Sequence, residues 1–518
     1  MPFVSPLDAA WLWVEGPAGL THVTGVQVFG PPPEHQAGED FIDRLYAELT
    51  DPSRLKSEFR LRPVRSWWTA GQYTWQSVPD PDLTQHVLRV RLAGHAGPRE
   101  LHDHVGRFHT EPLDRNRPLW ESRLIENLEG GGFALVSKIH HALFDGVAAS
   151  KHFTRGLAVE PDGEGTAPWL SPAEPLDRKP QGSWWGTVCQ VAQSPITVPL
   201  AAARSAGAIA SAGASALTGS VATPFAAPAT TFNGEVDQDR TFDGASASLD
   251  RLRAIARVAG VSTNDVVLTV CSGGLRRHLE RAGTLPAVEL TALVPVSRRD
   301  SRDSAMVRGN AITSVICGLS TDEPDPARRL QRVHASMARN KAIAAALDPI
   351  SAACLLAATM GGAVVGAFER LPLPSRPPFN LTISTVPGNT TPLYWHGCRL
   401  IENFPASVVT RGQGLNLTVV THDGRIAVGV TACEGSGIDA HELVADLEVA
   451  LHELETVHGT GPSAQVLGPE RVQPRSAPDQ WTHQLDPAQA AEPSGSEAVR
   501  TSGNTAVLTR SEGAAALS

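Results

Sequence analysis

No stretch of this sequence offers the about 20 uninterrupted apolar residues that a helix needs to cross a bilayer core, which argues against a membrane-spanning helix. The nearest approach, SAACLLAATMGGAVVGA from Ser351 to Ala367, is built from small residues and paired glycines and reads as a tightly packed buried helix in preference to one that contacts lipid. The six cysteines, at 189, 271, 317, 354, 398 and 433, contain no CxxC pair, so they imply neither a zinc site nor a disulfide framework; a reducing cytoplasm fits. Basic residues are not in excess. Lys and Arg total 44 against 54 Asp and Glu, a formal net charge of −10, which argues against a nucleic-acid partner because a phosphate backbone demands a basic surface. A local patch could still meet a membrane surface or a lipid droplet. Catalytic signatures are missing too: there is no GxSxG elbow, no Walker A lysine motif and no GxGxxG, which removes the simplest serine-hydrolase, nucleotide and dinucleotide readings. The first residues, MPFVSPLDAAWLWVEGP, carry Asp8 and Glu15 with no basic flank and do not read as a secretory signal.

What is present centres on Phe133 to Val147, FALVSKIHHALFDGV. Its start alternates as a strand does, with Phe133, Leu135, Ser137, Ile139 and His141 on one face and Ala134, Val136, Lys138 and His140 on the other. Two adjacent histidines then face opposite ways, and only one of them can easily serve as a base. Asp145-Gly146 is a turn signal that opens a helical stretch from about Val147 to Leu157, completing the pattern HHxxxDG. A histidine accepts and returns a proton near neutral pH, so His141 could activate an alcohol for attack on an acyl group. His140, beside Lys138, is better placed to hydrogen-bond inside its own half. Asp145 would hold the turn or pair with a distant arginine, and Gly146 would supply backbone freedom or close approach. The plainer reading is that both histidines merely end a buried strand. A metal is not implied, because neighbours on opposite strand faces cannot chelate one ion.

With this motif, SPLDAAWLWVE near the start, THVTG (Thr21–Gly25), EPLDRNRPLWE (Glu111–Glu121), STNDVVL (Ser262–Leu268), LVPVSRR (Leu293–Arg299), GNAITS from Gly309, NLTISTVPG (Asn380–Gly388) and TPLYWHGCRL (Thr391–Leu400) occur in order. In that order and spacing the chain, from about Ser5 to Val457, resembles the bacterial wax ester synthase/diacylglycerol acyltransferase family, relatives of chloramphenicol acetyltransferase and condensation domains. The resemblance implies a two-lobed α/β fold like chloramphenicol acetyltransferase, with mixed sheets flanked by helices and the active site in a tunnel between the lobes. It implies acyl transfer from acyl-CoA, as co-substrate and without a bound cofactor, to a lipid alcohol: diacylglycerol, giving triacylglycerol, or a long-chain alcohol, giving wax ester. His141 would be the general base. Asn264 would lie near the tunnel and either position substrate or assist the oxyanion, and Arg299 would partner Asp145. Asp265 reads as a helix N-cap beside its possible substrate role. Thr385 stands where the family more often has Asn, and its hydroxyl would replace part of that side chain's hydrogen bonding. Two rivals stay open: another HHxxxDG transferase acting on a polyketide, peptide or sugar alcohol, and a catalytically silent lipid-binding protein.

The 518 residues are enough for two cores, and we divide them into a first lobe over 1–165, an Ala/Gly/Pro-rich surface crossover over 166–230, a second lobe over 231–458 and a disordered tail over 459–518. Apart from Arg204, the Pro199–Pro224 stretch has almost no basic face on which to build an amphipathic membrane contact. The periodicity predicts strands at Val26–Phe29, Leu88–Leu92, Arg240–Leu249, Leu290–Val296 and Phe379–Val386, and a hairpin turning at His422-Asp423-Gly424. Helices are expected over Phe41–Thr50, Asp250–Ala259, the run after Ser262, and Ala440–Thr456. His102, His104 and His109 fall on a helix with Leu101, Val105 and Phe108, where they share no face with a carboxylate and read as structural. Asp114 and Arg115 read as holding the extended approach to the motif strand.

Overall fold

Two six-stranded mixed sheets arise from these patterns in a computed structural model that describes residues 3–461, apart from 17–18, 37, 39, 70, 145, 172–224, 236, 298–311 and 347–375. In the first half α1 (Pro6–Val14) leads to β1 (His22–Phe29), α2 (Phe41–Leu49), the hairpin of β2 (Leu61–Arg65) and β3 (Tyr73–Ser77), and β4 (Val87–Ala96). Then come α3 (Pro98–Thr110), β5 (Trp120–Leu128), β6 (Phe133–His140) and α4 (Gly146–Arg155). The second half runs through β7 (Arg240–Ser248), α5 (Leu249–Ala259), α6 (Thr263–Arg281), β8 (Thr291–Ser297), β9 (Ile312–Gly318) and α7 (Pro326–Ala346). It closes with β10 (Leu381–Val386), β11 (Tyr394–Trp395), β12 (Cys398–Ala406), β13 (Leu415–His422), β14 (Arg425–Cys433) and α8 (Ala440–His458).

The sheet orders are β11-β12-β1-β6-β5-β4 and β7-β14-β13-β10-β8-β9. β4 runs parallel to β5, and β10 parallel to β13 and β8, which makes both sheets mixed. The first sheet is completed from the far end of the chain: β12 adds antiparallel to β1, Val26 opposite Phe404. The sequence reading assigned that segment to the second lobe, because strand pairing between distant segments leaves no local mark. β1 also begins at His22, earlier than Val26, so the whole THVTG motif except Thr21 is strand. The crossover begins later than read. Trp169 and Leu170 are 1% and 0% exposed in the first lobe's core, where the Trp169 indole donates to the Leu49 carbonyl, so the chain up to that point is held and does not run over the surface. Most of the crossover, the Ser351–Ala367 run and the tail beyond 461 lie outside the described residues.

A second core lies between α5, α6, α7 and α8 and the second sheet, with Leu268, Leu275, Leu417, Val430 and Leu443 inside it. A third apolar cluster bridges the halves, Val26, Val105, Phe108 and Val136 meeting Phe242, Phe404 and Val420. The β13–β14 hairpin turns on two residues, Asp423 and Gly424, both at positive φ (47° and 71°), the backbone that two-residue hairpins favour.

Gly25 has a packing reason of its own. A Cβ there would lie 2.5 Å from the Phe153 ring, and Gln27 Nε2 donates to the Phe153 carbonyl, so α4 rests directly on β1. Gly25→Ala is expected to push α4 away and cost about 1–3 kcal/mol, read as a lower denaturation midpoint in urea.

Candidate active site

β6 is buried along its whole length and ends at the histidine pair. His140 is fully buried and tied down at both ring nitrogens. Nδ1 accepts the Ala142 backbone N–H at 3.0 Å, which places the ring proton on Nε2. Nε2 lies 3.1 Å from Thr21 Oγ1, to which it donates, and 3.4 Å from Glu15 Oε2. Thr21 Oγ1 in turn donates to the Trp11 carbonyl at 3.3 Å. Glu15 sits one residue beyond α1 and accepts a two-pronged contact from Arg115, at 2.9 Å from Nε and 2.6 Å from Nη2. Burial alone would raise the Glu15 carboxyl, but His140 and Arg115 outweigh it and hold it at about 2. Arg115 also donates to the Leu12 carbonyl, which pins the end of α1 to the segment leading into β5.

Glu15 and Thr21 were not singled out as site residues from the sequence, and Arg115 was read only as holding the approach. The available signal was that all three lie in stretches that carry the family resemblance.

His141 is the first residue past the strand and is half-buried. Its backbone N–H donates to the Thr21 carbonyl at 2.8 Å, and its ring lies against Trp11 of α1, centroids 4.3 Å apart and planes tilted by 32°. The same short helix therefore supplies the ring beside His141 and, through Glu15, the carboxylate behind His140. Gly146 opens α4, and among the described residues a Cβ there would meet nothing within 4 Å. Asp145 and Arg299, and with them the pairing expected between the two, lie outside the described residues.

The face of β6 that carries His140 is filled with committed basic groups. Lys138, fully buried, donates to the carbonyls of Phe108 and Glu111 at 3.0 and 2.8 Å; burial brings it down to about 8, with Glu121 opposing. Burial also lowers His22 well below its ordinary value and takes His109 to about 3, so both are neutral imidazoles at neutral pH, each with its one N–H given to a backbone carbonyl. The three α3 histidines go to separate partners: His102 to Asp243, His104 to Arg123, and His109 to Thr24 and the Ser407 carbonyl.

In the second lobe Asn264 and Asp265 divide as their positions suggest. Asp265 is buried and closes a capping box on α6, its Oδ2 accepting from the Ser262 N–H at 3.0 Å and hydroxyl at 2.7 Å while His334 Nδ1 lies 2.8 Å away. Ser262 is thus the cap, and Asp265, read from the sequence as the N-cap, stands three residues on as the other half of the box. Asn264 Oδ1 instead accepts from the Thr385 hydroxyl at 3.0 Å, which joins the first turn of α6 to β10 and gives the unusual threonine a bond after all.

Among the described residues no single helix is long and apolar enough to cross a membrane. Residues 4–267 match the family model described as wax ester synthase/diacylglycerol acyltransferase catalytic domain, and residues 308–455 match the C-terminal domain of the same family. A probable diacylglycerol O-acyltransferase of Mycobacterium tuberculosis is 36% identical over 471 residues, covering 89% of this chain and all of that protein. A putative diacylglycerol O-acyltransferase of the same organism is 35% identical over 464 residues, covering 88% of this chain and all of the relative. Among solved structures, a wax ester synthase/diacylglycerol acyltransferase from Marinobacter aquaeolei VT8 superposes with a TM-score of 0.71 at 28% identity, over 89% of this chain and 100% of that one. The first condensation domain of a calcium-dependent antibiotic synthetase shares the fold at a TM-score of 0.56 and 15% identity, over 89% and 97% of the two chains.

Proposed function

The chain belongs to the wax ester synthase/diacylglycerol acyltransferase family, and from that premise we propose that His141 is the general base of its acyl transfer. The enzyme is an O-acyltransferase that makes triacylglycerol from diacylglycerol, wax ester from a long-chain alcohol, or both. His141 takes the proton of the acceptor hydroxyl as its oxygen attacks the thioester carbonyl of acyl-CoA. A C–O bond forms, the C–S bond breaks, and the imidazolium returns the proton to the departing thiolate, leaving ester and free CoA. No further cofactor is required by this chemistry.

The observation that supports His141 over its neighbour is the commitment of His140, whose Nδ1 and Nε2 are both held inside the first lobe. Its role is positional: it fixes the turn that presents His141, and Glu15 with Arg115 fixes it in turn. Asn264 is the candidate oxyanion donor. With Oδ1 taken by Thr385, its amide N–H groups are left for the developing charge. Asp145 and Arg299 are proposed to pair and stiffen the turn, and a tunnel between lobes would exclude water that otherwise hydrolyses the thioester.

The test is CoA release from palmitoyl-CoA by the purified protein with diacylglycerol, with hexadecanol and with no acceptor. Release that depends on an acceptor is expected, and the better acceptor names the physiological product. Equal release without any acceptor, or none with either from folded protein, would refute the reading.

A further inference from the structure

Four of the five exposed phenylalanine and tryptophan side chains among the described residues, Phe3 (61%), Trp13 (45%), Trp67 (74%) and Trp68 (77%), gather at one edge of the first lobe; the fifth is Phe225. Their closeness follows from the β2–β3 hairpin. Trp67 and Trp68 form its tip and stack on each other, Phe3 bridges to Thr74 of β3, and the Trp13 ring meets Tyr73 of β3 at 5.5 Å. An isolated exposed apolar residue is ordinary, but two stacked indoles exposed side by side at the end of a hairpin are not.

The hairpin itself carries charge of one sign. From Phe59 to Pro79 the sequence holds Arg60, Arg62 and Arg65 and no Asp or Glu, in a chain whose net charge is −10. The hydrogen bonds these guanidiniums make within the described residues all go to carbonyl or amide oxygens: Arg60 to Leu55, Pro52 and Pro79, Arg62 to Asn116 and the Gln76 side chain, Arg65 to Gly71. Among the described residues none of the three forms an ion pair, although Asp80 and Asp82 line the same cleft as Arg62, so the offset is weakest at Arg65 near the tip. Arg65 also lies over the Trp13 ring, 4.1 Å from its centroid, joining the cationic and aromatic parts of the edge.

Indoles seat at the level of lipid headgroups, where an apolar ring and a polar N–H are both satisfied, and arginines beside them meet phosphate. We propose that the β2–β3 hairpin docks the protein on a phospholipid surface, with Trp67 and Trp68 entering the headgroup layer and Arg60, Arg62 and Arg65 facing the phosphates. The choice of a lipid surface rests on the acyl-transfer reading, since both the acceptor and the product of that reaction are lipids. The contact lies close to the chemistry: α1 presents Trp13 to the hairpin and Trp11 to His141, so one helix separates docking surface from candidate base.

The experiment is co-sedimentation of the full chain with vesicles of phosphatidylcholine and phosphatidylglycerol, for the wild type, Trp67→Ser with Trp68→Ser, Arg65→Gln, and Val258→Ser as an exposed apolar control on the other lobe. The double tryptophan variant is expected to partition about tenfold less or weaker still. Arg65→Gln should lose binding on the anionic vesicles and little on pure phosphatidylcholine, and Val258→Ser should bind as the wild type does. The readout needs no turnover, so it stands apart from any failure of the catalytic reading, and release of CoA with detergent-dispersed acceptor should be unchanged in every variant. Wild-type protein that stays in the supernatant, or a double variant that pellets as well as wild type, overturns the proposal. So does a wild-type dimer in sedimentation velocity that the tryptophan substitutions dissociate without any vesicle binding, which would make this edge a contact between copies of the chain.

Discussion

Purified His141→Ala is expected to fold as the wild type does and to release CoA from palmitoyl-CoA about 100- to 10,000-fold more slowly in the presence of acceptor, the range that a lost general base accounts for. Folding should survive because His141 lies past the end of β6, half-buried, and its backbone bond to the Thr21 carbonyl does not depend on the side chain. The loss should fall on kcat more than on KM, since proton transfer belongs to the transition state and not to ground-state binding. The pH profile separates the base from a ring that merely packs on Trp11. Wild-type kcat/KM should fall on the acid side as the imidazole is protonated, and the residual rate of His141→Ala should lack that limb. Undiminished turnover in folded His141→Ala would remove His141 from the mechanism.

The sequence made legible whatever was local. The alternation from Phe133 marked β6, and the polar residues up to Asp265 marked the start of α6, because a helix N-terminus is satisfied by side chains within its own first turn; the structure makes Ser262 the cap and Asp265 its partner in the box. Asp423-Gly424 announced its hairpin for the same reason, the constraint being in the turn itself. What stayed hidden was non-local. Cys398–Ala406 falls inside the span assigned to the second lobe, and only its pairing with β1 shows that it is a strand of the first sheet. Glu15 looks like a solvated charge at a helix end; it becomes the anchor of His140 once α1, β1 and the approach to β5 converge, and nothing in its own neighbourhood says so. His102 reads as a structural helix histidine and is one, but its carboxylate partner comes from β7, far along the chain.

That partner carries the second large effect. Asp243→Ala is expected to cost about 3–5 kcal/mol in urea unfolding, because it strips the shared acceptor from two histidines at the junction of the lobes. Asp243, 6% exposed, bonds His102 of α3 through one oxygen and His441 of α8 through the other, at 2.9 Å, while His441 Nε2 reaches Asp103 of α3 at 3.0 Å. The His102 ring is wedged edge-on against Phe242 and Phe404, so it cannot swing out to water. With both nitrogens donating to carboxylates, His441 is raised from 6.5 to about 9, the bond to Asp243 being the main cause. Burial would raise Asp243, but the two histidines prevail and hold it well below 3.8. The signs then fix the pH dependence. A raised histidine gives stability that is fully present below 6.5 and is lost as pH climbs through about 9, whereas the depressed carboxylate gives stability present above 3.8 and lost in acid. Wild-type unfolding free energy should therefore decline between pH 6.5 and 9, and Asp243→Ala should flatten that decline as well as lowering the whole curve. His441→Gln, which can still hydrogen-bond but cannot titrate, should be less stable than wild type at pH 6 and close to it at pH 9.5. A wild-type curve that rises through this window, or one that Asp243→Ala leaves parallel, would show that the cluster does not join the lobes by charge.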